Sequence, residues 1–249
     1  ADAALLMQVL ALPDERDSMS LPAQSIDWND FDHGVECLQG LRIGLLLDAG
    51  CGLLLDPDIR AAVERAAALL GAAGARVESM PPFMTQPMLD GIDHFWRMRS
   101  HVELEALDSE ARARVLPYIQ RWADSVAGMD GQALFRAFSQ LHATRLATVA
   151  ACSQFDYVIS PTSPVGAPAA ESPSPTNDPL RALEHIGFTV PFNMSEQPAA
   201  SINCGYDETG MPIGLQIAGR RFDDLGVLRV ARAFELIRDA QRPWPKAPG

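Results

Sequence analysis

The feature that most constrains this chain is the almost continuous apolar run LRIGLLL at 41–47. A short run of that kind suits a strand buried on both faces, as in a parallel sheet. The next segment completes a crossover. Asp56-Pro57 supplies a helix N-cap and a first-turn proline. Ile59, Val63, Ala66, Ala67 and Leu70 then form one stripe of a helix over 58–70, with Gly71 and Gly74 as stop signals. ARVES (75–79) reads as a second strand, and a β-α-β crossover favours a parallel pair.

The rest of the chain extends this pattern. Residues 1–12 read as a helix ended by Pro13, with Leu5, Leu6, Val9 and Leu10 as its apolar positions. Residues 87–153 read as mostly helical, broken near Asp108-Ser109, Pro117 and Gly128–Gly131. Their apolar positions include Trp96, Val102, Leu116, Trp122, Phe138 and Leu146. FDYVIS (155–160) is a strand. The Pro/Ser-rich stretch near 161–179 is a domain linker or an ordered loop at a strand end. AASINCGY and MPIGLQIAG read as a hairpin across DETG, and an amphipathic helix comes after it. The expectation is an α/β fold, a mixed sheet flanked by helices, with residues 1–249 as a single unit and the Pro/Ser loop inside it.

Composition removes several function classes. With 32 acidic and 20 basic side chains, the net charge is −12. That balance argues against a nucleic-acid partner, which draws on clustered Lys and Arg. No run of about 18 uncharged apolar residues offers a membrane span. The acidic start does not resemble a signal peptide, and the four cysteines lie far apart, so a reduced cytoplasmic setting is the default. Lysine chemistry has one candidate, Lys246.

Single motifs yield no complete active site. Gly50 and Gly52 come just after the apolar run, but Leu55 takes the place of a third glycine. Asp56 and Asp58 also occupy the helix N-terminus that a pyrophosphate would need, so a structural turn is favoured over a cofactor loop. DWNDFDH (27–33) lacks the glycine and glutamate of a calcium loop and reads as a solvated acidic loop. Cys152 and Cys204 read as buried structural thiols. Ser160, Ser163 and Ser195 lack a G-x-S-x-G elbow and read as turn or rim residues; a hydrolase using Ser160 or Ser163 with His185 is the weaker alternative. No metal or cofactor is expected.

Three blocks carry a resemblance. FTVPFNMSEQPAASINCGYDETGMPIGLQIAGRRFDD (188–224) with LRVARAFE, FDYVISPTSPVGAP, and ADAALLMQVLALPDERDSMSLP together resemble, in order and spacing, the C-terminal part of the amidase signature family. The resemblance implies hydrolysis of a carbon–nitrogen amide bond by a serine nucleophile, a second serine and a lysine base. The family's Gly/Ser-rich signature and its lysine segment match nothing in this sequence. The expectation is therefore a truncated chain, inactive alone, whose apolar face is covered by an N-terminal amidase half or a second copy. The alternative is a non-catalytic binding or assembly module. In the amidotransferase branch an Asp stands just before F-T-x-P; Ile186 stands at that position here, which points to a small-molecule amide with an apolar or aromatic acyl group. The pocket candidates are Ile186, Thr189, Phe192 and Trp96. Glu196 replaces a glycine that usually comes after the Asn-x-Ser/Thr run.

Overall fold

The computed structural model describes residues 1–243. Lys246 lies outside the described residues. A five-stranded mixed sheet has the order β2-β1-β3-β5-β4. Strand β1 (Arg42–Leu45) pairs in parallel with β2 (Arg76–Ser79) and with β3 (Tyr157–Pro161). Strand β5 (Pro212–Ala218) runs antiparallel to β3, and β4 (Ala199–Tyr206) runs antiparallel to β5. The α/β reading, the crossover and the hairpin are all present as the hydrophobic pattern indicated.

Both sheet faces are covered. On one, Ile43, Ile159, Leu215 and Ile217 pack against α2 (Pro57–Ala72) and α8 (Asp224–Ile237). On the other, Val158 and Ala218 meet Cys152 at the end of α6 (Gly131–Cys152), together with Phe155, Phe188 and Phe192. Burial of this kind is worth about 25 cal/mol per Å² of apolar surface, and it explains why the central strands carry apolar residues on alternate sides.

Local signals set most of the boundaries. Asp56 accepts a hydrogen bond from the Asp58 amide at 2.8 Å and caps α2, with Pro57 in the first turn. Gly71, read as a stop, lies inside α2; the turn falls instead on Gly74, at φ +106°. A glycine costs a helix little more than entropy, whereas the left-handed region asks for one. The helical region divides into α3 (Gln86–Glu105), α4 (Ser109–Ala113), α5 (Pro117–Asp124) and α6, with Asp108 and Asp130 as the N-caps of α4 and α6. Val102, Leu116 and Leu146, read as apolar-face positions, are exposed, as are Leu5, Leu6, Val9 and Leu10 of α1 (Asp2–Leu10). Periodicity marks a helix face but does not say that another element covers it.

The Pro/Ser stretch is an ordered loop rather than a free linker. The Tyr118 hydroxyl lies 2.8 Å from Ser174 Oγ and donates to the Asp178 carbonyl at 3.1 Å. Beside it, Arg97 donates to Asp93 through Nε at 2.9 Å, to Ser125 Oγ at 2.8 Å and to the Leu180 carbonyl at 3.0 Å. Trp122 Nε1 donates to the other Asp93 oxygen at 2.9 Å. Both charged side chains are buried, and each is held by further hydrogen bonds, which a buried ion pair requires. The loop after β1 closes on the chain from another direction. Gly52 has φ +74°, and a Cβ there would collide with the Glu184 carbonyl oxygen. The glycines of AGCG thus serve a close backbone approach.

These contacts fix the expected response to substitution. Gly52→Ala lowers unfolding free energy by about 2 kcal/mol through strain and clash. Gly71→Ala, whose Cβ meets nothing within 4 Å, raises it by roughly 0.5–1 kcal/mol. Urea denaturation checks both, and equal effects at the two sites would contradict the assignment. Arg97→Met costs about 3–5 kcal/mol because Asp93 is left buried and unpaired, and adding Asp93→Leu restores much of the loss.

Candidate functional site

The sheet has one place where a crevice is expected. Strand β1 connects through α2 to β2 on one side and lies beside β3 on the other, so the carboxyl ends of β1 and β3 form a switch point. An open cleft of about 770 Å³ lies at this end of the sheet. Its walls include Asp56 and Ile59 from the start of α2, Thr162 and Ser163 after β3, Ser174 of the Pro/Ser loop, and His185. A second groove, of about 990 Å³, runs along residues 7–28, and neither it nor the cleft is lined by Ile186, Thr189, Phe192 or Trp96.

The serines near the cleft are engaged. Ser160 is 1% exposed, donates to the Pro161 carbonyl at 3.0 Å and accepts from Gln216 Nε2 at 2.9 Å. Ser163 Oγ donates to the Val165 carbonyl at 2.7 Å. The Thr162 and Ser201 hydroxyls lie 2.6 Å apart. His185 Nδ1 is buried without a hydrogen-bond partner, and burial holds the ring below its ordinary pKa, so the imidazole is neutral near pH 7. Among the described residues no hydrogen bond joins His185 to Ser160 or Ser163, and the Ser–His alternative is not assembled.

The thiols and the acidic loop are likewise occupied by structure. Burial pushes Cys51, Cys152 and Cys204 up to about 11, so they are protonated at neutral pH and poor nucleophiles. In the acidic loop, Asp30 pairs with His33 and with Arg229, and Asp32 pairs with Arg232 at 3.0 Å. The two arginine pairs dock the loop on α8.

The four pocket candidates divide into two groups. Ile186 and Trp96 share one apolar cluster with Cys51, Met88, Leu141, Val190 and Met194. Thr189 directly precedes the short helix α7 (Val190–Ser195) without a capping hydrogen bond, and its hydroxyl donates to the Ile186 carbonyl at 3.2 Å. Ile186 and Thr189 thus lie in the segment that begins with His185 at the cleft edge, and Trp96 of α3 packs in the cluster that holds Ile186. Phe192 is 1% exposed and packs instead with Phe155 and Phe188 in the neighbouring cluster, where it supports α7 from behind.

Sequence reasoning missed Gln216. It lies on β5, 5% exposed, and its Nε2 donates both to Ser160 Oγ and to the Phe188 carbonyl at 2.8 Å. A polar residue between Leu215 and Ile217 in a strand buried on both faces was the available signal, since buried amides are held by hydrogen bonds.

Comparison with known proteins places this geometry. The model of the Amidase family matches residues 1–228. The A subunit of glutamyl-tRNA(Gln) amidotransferase from Synechococcus sp. (strain CC9902) is 31% identical over 277 residues, covering 100% of this chain and 55% of that protein. The corresponding protein of Myxococcus xanthus (strain DK1622) is also 31% identical, over 96% of this chain and 53% of its own. Among solved structures, a bacterial aryl acylamidase of the amidase signature family superposes with a TM-score of 0.80 at 26% identity, over 95% of this chain and 51% of that one. The chain spans about half the length of the curated relatives it matches.

The extent of the family match corrects the sequence reading. It runs through nearly the whole chain, so the expectations built on a C-terminal remnant, namely a partial fold, a chain inactive alone and an N-terminal half or second copy as its cover, are withdrawn. Among the described residues no helix is long and apolar enough to cross a membrane. With the family model matched over residues 1–228 and an α/β sheet superposing on a solved family member, the chain belongs to the Amidase family.

Proposed function

We propose that this protein hydrolyses the carbon–nitrogen bond of a small-molecule amide, releasing a carboxylic acid and an amine, and that the amide carries an apolar or aromatic group. Family membership supports the reaction class. The observation that carries the substrate class is Ile186, which sits in an apolar cluster with Trp96 and Val190 next to His185 of the cleft wall. An apolar wall rewards an apolar group and leaves a charged α-amino group without a partner. The similarity to a structure named as an aryl acylamidase agrees with this reading.

In this reading Ile186, Thr189 and Trp96 contact the substrate, Phe192 backs them, and residues 1–249 act as one α/β unit without a metal or cofactor. A reduced cytoplasmic setting goes with it, since all four cysteines are free. The relatives named as amidotransferase subunits suggest glutamine as the competing amide. Ile186 weighs against glutamine, because an isoleucine offers no acceptor for its ammonium group.

The test is steady-state kinetics on the protein with acyl 4-nitroanilides and with glutamine. Anilides are turned over and glutamine is not. Ile186→Asp lowers kcat/KM for an aryl amide by roughly 100-fold, the scale of a lost apolar contact. Glutamine hydrolysis faster than anilide hydrolysis would overturn the proposal.

A further inference from the structure

We propose that Glu196 is a positioning residue for the apolar cluster that holds Ile186 and Trp96, setting the place of α7 through a clamp of two arginines. The inference rests on the proposed function only where it concerns substrate.

Glu196 ends α7 in the left-handed region at φ +59°, a conformation that favours glycine. Its two carboxylate oxygens pair with different arginines, one with Arg145 of α6 and one with Arg221, just beyond β5. Arg145 also donates through Nε to the Met194 carbonyl at 2.9 Å, so it grips the end of α7 at two points. The next residue continues the anchorage: Gln197 Nε2 donates to the Gly219 carbonyl at 2.7 Å. The C-terminal end of α7 is thereby tied to α6 and to the corner after β5.

The energetics indicate what this arrangement supplies. The strain of a left-handed glutamate and the gain from two half-exposed ion pairs are of similar small size and opposite sign. Replacing Glu196 by glycine relieves the strain as it removes the pairs, so little net stability is at stake. Position is another matter. Val190 and Met194 of α7 pack in the same cluster as Ile186 and Trp96, and Thr189 directly precedes α7. A loosened α7 loosens that cluster.

Glu196→Gly separates the two roles. The expected result is a melting temperature close to that of the parent, with amide hydrogen exchange over residues 190–197 at least several-fold faster. KM for an acyl 4-nitroanilide rises several-fold with kcat nearly unchanged, and the parent's KM loses its salt dependence in the variant. Glu196→Gln, whose single amide oxygen can accept from only one of the two arginines, recovers part of the exchange protection. Parent-like exchange over 190–197 in Glu196→Gly would overturn the clamp. So would faster exchange accompanied by an unchanged KM. If the parent turns over no anilide, the proposed function fails, and the exchange measurement, made without substrate, still decides the clamp.

Discussion

A backbone carbonyl buried between a sheet and a helix must find a donor, and in this protein the Phe188 carbonyl finds it in Gln216. The donor is a side chain of β5 that also hydrogen-bonds Ser160 of β3, so one amide joins two antiparallel strands to the segment that crosses their ends. The neighbours of Phe188 inherit this fixed point. Gly187 is packed against Ala49 and Cys51, Ile186 turns into the apolar cluster, and Thr189 begins α7. The segment after His185 is therefore placed by the sheet and not by its own preferences. Leaving that carbonyl without its donor would cost about 1–3 kcal/mol, which makes the crossing point one of the stiffer places in the structure.

Around this point the fold divides its work. The apolar face toward α2 and α8 holds the sheet together, while the face toward α6 and α7 supports the segment that follows His185. The helices α3 and α5 act at a distance, since Arg97 and Tyr118 hold the carbonyls of Leu180 and Asp178 and with them the Pro/Ser loop beside the cleft. Loops that line a site are usually mobile; this one is stiffened by buried polar contacts to rigid helices.

Much of this was legible in the residues. The run at 41–47, the Asp56-Pro57 cap and the alternation of Ile213, Leu215 and Ile217 each reflect a local rule, and each pointed to the right element. Gly71 misled because a glycine can be carried within a helix as well as end one. Leu5, Leu6 and Leu146 misled because an apolar stripe does not name its partner. The site was legible only in part. Ile186 and Trp96 meet in one apolar cluster, a contact between residues far apart in sequence, as is the pairing of Glu196 with Arg145 and Arg221. Gln216 was visible as a polar residue in an apolar strand, yet the Phe188 carbonyl it serves lies 28 positions away and on another element. The reading of the chain as a remnant rested on signature stretches that found no match, and it is withdrawn in favour of the family match that runs through residues 1–228.

The most direct test of the central claim is a crystal structure of the protein with a slowly cleaved aryl amide. The apolar group of the ligand is expected against Ile186 and Thr189, with the Phe188 carbonyl still held by Gln216. A ligand seated instead in the groove along residues 7–28, with the segment at 183–196 untouched, would contradict it.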